Sequence, residues 1–135
     1  RWRRDLVDEG VVRLPDGRKI QPDKVLGDER LGTSLVVVGD TGNAEKLKPH
    51  IQDADALVIE ATYIMAEADL AERFDHLTAH KAAELAKDAG IGKLFLTHLS
   101  RRYRERDVLD EAGSVFPEAH VARDFDRFQI KRESD

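Results

Sequence analysis

Three short apolar runs, separated by segments with helical periodicity, constrain the fold of this chain more than any other feature. The runs occupy residues 35–38, 56–59 and 94–96, and each is too short for a helix. Runs that are apolar at every position predict strands buried on both faces of a parallel sheet. Apolar residues at helical spacing predict helices over about residues 43–52, 64–72, 78–89 and 105–112.

The segments on either side of this core predict a hairpin and a further strand. Residues 11–14 and 18–20 flank a Pro-Asp-Gly turn signal at residues 15–17, which predicts a short hairpin. Apolar and charged residues alternate over residues 120–130, which predicts a strand exposed on one face. The resulting order β-α-β-α-β-α-β predicts an α/β fold with a mostly parallel sheet and helices packed on it.

Composition excludes several classes of protein. The chain has 135 residues with 22 Lys and Arg against 27 Asp and Glu, and a net charge of −5 argues against uniform coating of nucleic acid or anionic lipid. Because the chain has no Cys, a metal site must use His and carboxylate ligands. The longest apolar runs fall far short of the roughly 20 residues that cross a bilayer. We therefore expect a soluble, intracellular domain that makes no contact with membrane.

Polar side chains follow the three apolar runs at equivalent positions. Asp40 follows the first run, Glu60 the second and His98 the third. Ligands of open α/β sheets bind outside the carboxyl ends of parallel strands, so we expect these side chains at one rim. A buried carboxylate is costly unless it is paired, hydrogen-bonded or metal-bound. Each residue alone is typical of a turn, a cap or a structural histidine, but together they indicate a functional site.

His76 is expected to join this group. It lies just before the predicted helix at residue 78, where an imidazole can project into a cleft. The unperturbed pKa of histidine, about 6.5, suits proton transfer near neutral pH. Glu60 is the expected partner of His76. The other three histidines are expected to be structural or solvated: His50, His80 and His120.

A local basic run follows His98 directly. Residues 100–106 hold four arginines and one tyrosine in an otherwise acidic chain. The planar guanidinium of Arg binds phosphate through a fork of donors, and Tyr can stack on a base or sugar. Such runs are usually solvated helix faces. The position of residues 100–106, beside the predicted strand ends, favours phosphate binding for this run.

Four motifs resemble, in order and spacing, those of ribonuclease Z, the tRNA 3′-processing endoribonuclease of the metallo-β-lactamase superfamily. They are Gly39-Asp40-Thr41, Ile59-Glu60-Ala61-Thr62, His76-Leu77-Thr78-Ala79 and Leu96-Thr97-His98-Leu99-Ser100-Arg101-Arg102-Tyr103. The resemblance covers nearly the whole chain. Two positions depart from it, since Ile59 and Leu77 stand where the family commonly has a histidine and a serine.

The resemblance implies a two-zinc phosphodiesterase whose substrate is precursor tRNA. By this comparison Asp40 matches the carboxylate that bridges both metal ions, and His98 matches a ligand of one of them. Glu60 and His76 match the pair that assists protonation of the leaving oxygen. The residues implied to shape the phosphate pocket are Thr78, Ser100, Arg102 and Tyr103.

The resemblance also implies a domain organisation. It predicts the C-terminal half of the αββα metallo-β-lactamase fold, with a mixed sheet and helices packed on one face. Residues 1–34 would follow the tRNA-binding arm, and residues 35–135 would form the β/α core with the metal and catalytic motifs. The family's His-x-His-x-Asp-His motif is absent from these 135 residues. We therefore expect this chain alone to be inactive, as part of a protein that is a cytoplasmic homodimer when intact.

Two alternatives remain open at the level of sequence. Related metallo-β-lactamase enzymes cleave aryl sulfates or cyclic nucleotides, and strand-end residues alone do not separate these substrates from tRNA. The second alternative is a non-catalytic half-domain that binds RNA or a partner chain. The missing ligand motif supports this interpretation, because an incomplete fold exposes an apolar face that usually recruits a partner.

Overall fold

The computed structural model describes Leu6, residues 10–25, Gly27 and residues 32–131. The chain divides into two compact units, Arg1–Gly32 and Thr33–Asp135. Within the described ranges, no helix combines the length and the apolar composition needed to cross a membrane.

The first unit contains the predicted hairpin. Strands β1 (Val12–Arg13) and β2 (Lys19–Ile20) pair in antiparallel register. Asp16 fixes the turn between them, because its carboxylate accepts hydrogen bonds from the backbone and the guanidinium of Arg18 at 3.1 and 2.7 Å. A short 3-10 helix, Pro22–Lys24, follows the second strand. The hairpin prediction is confirmed.

The second unit is a four-stranded parallel sheet with helical connections. Its strands are β3 (Leu35–Val37), β4 (Ala56–Glu60), β5 (Lys93–Thr97) and β6 (Ala119–Val121), hydrogen-bonded in that order. The helices are α1 (Lys48–Ile51), α2 (Ala68–Arg73), α3 (Ala79–Asp88) and α4 (Glu105–Gly113), with a 3-10 turn at Met65–Glu67 before α2. The predicted α/β class is confirmed, with parallel pairing in this sheet and antiparallel pairing in the hairpin.

The core lies between one face of the sheet and the helices. Alternate residues of β4 and β5 are fully buried on that face, and they pack with alanines of α3 and with Val108 and Ala112 of α4. Helix α3 begins as predicted at Thr78, whose side chain accepts a hydrogen bond from the Lys81 backbone. It ends before Gly90, which adopts φ +66°. A left-handed residue just after a helix is a common stop signal that favours glycine.

Strand β3 differs from the prediction of a strand buried on both faces. Leu35 is 51% exposed and Val37 is 68% exposed, so the prediction is wrong for this strand. The reason is position in the sheet, since β3 pairs only with β4 and lies at the edge of the described sheet. An apolar run does not reveal how many neighbours a strand has.

Two further elements are shorter than predicted. The helix expected over residues 43–52 is helical only at Lys48–Ile51, and it is preceded by a turn in which Asn43 accepts from the Lys46 backbone at 3.2 Å. The strand expected over residues 120–130 ends at Val121. Phe125 then has φ +70° and is 99% exposed, which is incompatible with a continuing strand.

The segment after β6 instead folds back on the sheet and on α4. The Phe128 ring packs against the ring of Phe95 on β5, with 4.5 Å between the ring centroids. Arg123 donates two hydrogen bonds to the Glu105 carboxylate at 2.8 and 2.9 Å. This hydrogen bond raises the pKa of the Arg123 guanidinium above its ordinary value.

Replacement of Gly92 by alanine tests the close packing where β4 and β5 begin. A Cβ at position 92 would lie 2.8 Å from the carbonyl oxygen of Asp55, which is backbone and cannot rotate away. We expect Gly92→Ala to lower the free energy of unfolding by about 1–3 kcal/mol. The matched control is Gly113→Ala, which meets no atom within 4 Å and should leave stability unchanged or raised, because alanine favours helix. Urea denaturation of both variants measures the difference, and equal stabilities would contradict the packing described.

Candidate metal and acid–base site

The carboxyl ends of the parallel strands bring the predicted residues together. Glu60 is the last residue of β4, and it lies opposite Thr97, the last residue of β5. His98 follows Thr97, and Asp40 follows the edge strand β3. The predicted convergence of these strand ends at one rim is confirmed, since an oxygen of Asp40 lies 3.5 Å from Nε2 of His98.

Glu60 is the buried centre of this rim. Its side chain is 1% exposed, and both carboxylate oxygens accept hydrogen bonds. Oε1 accepts from the Thr41 backbone at 2.8 Å, and Oε2 accepts from the Thr62 hydroxyl at 2.6 Å and the Thr62 backbone at 3.3 Å. These donors compensate the loss of hydration that burial imposes on a carboxylate.

The expected pairing of His76 with Glu60 is confirmed. Nδ1 of His76 lies 2.9 Å from Oε1 of Glu60. Because the carboxylate already accepts from backbone N–H groups, we assign Nδ1 as the donor in this contact. That tautomer leaves Nε2 as the ring atom available for proton exchange. The His76 ring also lies 5.4 Å from the His98 ring and 6.0 Å from the Tyr63 ring, between centroids.

His98 has a backbone conformation that is unusual for a side-chain-bearing residue. Its φ is +54°, in the left-handed region. Such a conformation costs about 1–2 kcal/mol outside glycine and persists only where neighbouring contacts impose it. Here the Ser100 backbone donates to the Thr62 carbonyl at 3.2 Å, which closes the turn around His98. This turn directs the exposed imidazole toward Asp40.

Three side chains offer donor atoms to one metal ion. One ligand atom from each of Asp40, His76 and His98 lies within 4.8 Å of the other two. Two ligands of a tetrahedral zinc ion are about 3.4 Å apart, since zinc lies about 2.0–2.1 Å from N and O ligands. The measured 3.5 Å between Asp40 and His98 fits this separation. Carboxylate and imidazole are also a donor set that zinc accepts.

The residues predicted to bind phosphate have protein partners in this structure. Arg102 and Tyr103 both contact the carboxylate of Glu67. The Ser100 hydroxyl accepts from the Arg102 backbone at 3.4 Å, and Thr78 is fully buried as the N-cap of α3. Glu67 was not found from the sequence. A role for the four predicted residues in phosphate binding stays a prediction.

The remaining three histidines are solvated or have other partners, as expected. His50 is exposed on α1. His80 pairs with Glu84 on the next turn of α3 at 3.2 Å, and His120 stacks on Phe95 with 5.6 Å between ring centroids. Among the described residues, only the group of Asp40, His76 and His98 brings three metal-binding side chains together.

The fold and this rim define a class of protein. Two solved structures are similar to the chain: the metallo-β-lactamase fold protein YhfI from Bacillus subtilis and human tRNase Z, short form. The first has a TM-score of 0.63 and 27% identity, covering 67% of this chain and 37% of that one. The second has a TM-score of 0.59 and 26% identity, covering 84% and 37%. The chain therefore has the α/β fold of the metallo-β-lactamase class.

Sequence comparison then identifies the relatives within this class as ribonuclease Z. The chain is 44% identical over 128 residues to ribonuclease Z of Bradyrhizobium sp. (strain ORS 278), covering 95% of this chain and 42% of the relative. It is 42% identical over 123 residues to ribonuclease Z of Ligilactobacillus salivarius, covering 89% and 39%. The chain is thus homologous to ribonuclease Z and spans about two fifths of the length of the curated relatives it matches. No family model matches the sequence.

Replacement of Glu60 by glutamine tests whether the rim depends on a carboxylate. Glutamine has the same shape, but its NH2 group would face a backbone N–H, because both oxygens of Glu60 accept from backbone donors. We expect Glu60→Gln to lower the free energy of unfolding by about 1–3 kcal/mol. The control is Glu84→Gln, which changes an exposed carboxylate and should stay within about 0.5 kcal/mol. Equal stability of the two variants in urea denaturation would show that the hydrogen bonds of Glu60 contribute little.

Proposed function

We propose that this chain supplies part of the active site of a zinc-dependent endoribonuclease that removes the 3′ trailer of precursor tRNA. The observation that carries the proposal is the convergence of a His76–Glu60 pair with an Asp40–His98 pair at one rim of the sheet. Homology to ribonuclease Z over 95% of the chain supports the substrate. The coverage of only 42% of that relative makes the activity of the whole protein part of the proposal.

Asp40 and His98 would hold zinc in this proposal. Their exposed donor atoms lie at a separation suited to one ion, whereas His76, whose Nδ1 is bonded to Glu60, keeps Nε2 for proton transfer. Zinc has two functions in such enzymes, since it stabilises charge on the phosphate oxygens and generates a nucleophilic water near neutral pH. A complete two-metal site needs more ligands than these, so the isolated chain is proposed to bind zinc weakly and to be inactive.

His76 is proposed to deliver a proton to the leaving oxygen of the phosphodiester. Glu60 accepts from Nδ1 and orients the ring, which leaves Nε2 to carry the transferred proton. When the bond between phosphorus and the leaving oxygen breaks, that oxygen takes the proton from Nε2. Glu60 also holds the ring in one tautomer, as a buried carboxylate beside histidine does in other acid–base pairs.

Phosphate binding by the basic run is the less direct part of the proposal. The Arg102 side chain is 57% exposed, so its guanidinium is accessible to a phosphate that competes with Glu67. Tyr103 shares the same carboxylate, and Ser100 lies in the turn that leads from His98. Thr78 would contribute through the backbone turn that it caps beside His76. We extend the proposal to a cytoplasmic homodimer, as the resemblance implies.

Cleavage of precursor tRNA by the complete gene product tests the proposed function. We expect the unsubstituted protein to release the trailer, and we expect His76→Ala to lower kcat about 10²–10⁴-fold because a general acid is lost. Asp40→Ala and His98→Ala should lower activity at least as much and should reduce zinc content. The matched control is His50→Ala, an exposed histidine outside the rim, which should retain activity.

Other outcomes of this experiment decide against the proposal. Faster cleavage of aryl sulfates or cyclic nucleotides than of precursor tRNA would replace the substrate. Binding of RNA or a partner chain without cleavage of any phosphodiester would favour the non-catalytic interpretation. Full activity of His76→Ala would show that His76 is not the proton donor.

A further inference from the structure

Glu111 connects the segment that follows Glu60 to the segment that follows His76. It lies on α4, away from the four motifs that resemble ribonuclease Z. Its Oε1 accepts from the His80 backbone at 2.9 Å and from the Met65 backbone at 3.1 Å, and its Oε2 accepts from Met65 at 2.9 Å. One half-buried carboxylate therefore bonds backbone groups of two different segments.

These two segments also contact each other next to the site. Tyr63 and Thr78 form an isolated parallel bridge, in which Tyr63 donates to the Leu77 carbonyl at 3.1 Å and accepts from Ala79 at 2.8 Å. The bridge starts three residues after Glu60 and two residues after His76. Glu111 closes the far end of the bridge, because Met65 lies two residues beyond Tyr63 and His80 lies two residues beyond Thr78.

The N-terminus of α3 depends on the same contact. A helix leaves its first N–H groups without partners inside the helix. In α3 the N–H of Ala79 donates to Tyr63, that of His80 to Glu111, and that of Lys81 to the Thr78 hydroxyl. Loss of the Glu111 carboxylate would leave a half-buried donor unpaired four residues after His76. A negative charge at this end is also favoured by the helix dipole.

We propose that Glu111 is a positioning residue for His76. The His76 backbone is held on one side by its own hydrogen bond to the Ala71 carbonyl at 2.8 Å. Glu111 holds the other side, because it fixes the start of α3 and the Met65 backbone in one register. Together these contacts keep Nδ1 of His76 against Glu60. The effect on catalysis rests on the proposed function, whereas the effect on the geometry does not.

Three substitutions separate the geometry of this contact from its charge. Glu111→Gln keeps an oxygen that can accept from His80, but its NH2 group would face the Met65 backbone N–H that Oε2 now accepts from at 2.9 Å. Glu111→Asp keeps the charge but withdraws it by one methylene, and Glu111→Ala removes the acceptor. The matched control is Asp110→Asn, which neutralises an exposed neighbouring carboxylate that pairs with Arg106 at 3.5 Å.

The first measurement is NMR of this chain, which needs no substrate. We expect Glu111→Ala to speed amide exchange of Met65 and His80 at least tenfold and to shift the Nδ1 resonance of His76 toward that of an unpaired ring. Asp110→Asn should match the unsubstituted chain, and Glu111→Gln and Glu111→Asp should lie between that chain and Glu111→Ala. An unchanged His76 resonance in both Glu111→Ala and Glu111→Asp would overturn the proposal.

The second measurement is the kinetics of the complete gene product on precursor tRNA. We expect Glu111→Ala to lower kcat about 10–100-fold with KM within about threefold, because a misplaced catalytic group costs this much. Glu111→Gln should lose less of kcat than Glu111→Ala, and Glu111→Ala should have no further effect in a His76→Ala background. Equal losses in Glu111→Gln and Glu111→Ala, or additive losses in the double variant, would overturn the proposal. If the gene product cleaves no precursor tRNA, the proposed function fails and the NMR result alone decides on Glu111.

Discussion

The buried carboxylate of Glu60 is the interaction on which the candidate site depends. A carboxylate that is 1% exposed would cost several kcal/mol without compensation. Donors from the loop after β3, from Thr62 and from His76 provide that compensation. A single buried charge therefore fixes two other segments, the loop after β3 and the residues before α3, to the end of β4.

Parallel strand order explains why these segments meet. Each strand of the sheet pairs with the next one along the chain, so every connection returns to the same edge and every strand ends at the same rim. Asp40, Glu60 and His98 are far apart in sequence but lie at or just after the ends of neighbouring strands. The helical connections contribute two more groups: His76 from the residues just before α3, and Glu111 from α4. Packing of the apolar helix faces against the sheet thus sets the geometry of polar groups at its edge.

The sequence was sufficient to predict those parts of the molecule that leave a local pattern. Apolar runs predict the strands, and the polar residues after them predict the rim of Asp40, Glu60 and His98. The place of His76 just before a helix predicts its pairing with Glu60. The exposure of Leu35 and the turn at Phe125 could not be predicted, because they depend on how many strands flank a segment and where the sheet ends. Glu111 was also missed. A carboxylate on a helix surface carries no local sign that it bonds two distant backbone groups.

A zinc titration of this chain, followed through the imidazole nitrogen resonances, tests the metal-binding rim most directly. The geometry predicts that the His98 resonances respond to zinc and that Asp40→Asn abolishes the response, since the two donor atoms lie 3.5 Å apart. His50 and His120 should be unaffected at the same zinc concentrations. A response of His50 or His120 in place of His98, or an undiminished His98 response in Asp40→Asn, would contradict a metal site at the carboxyl ends of these strands.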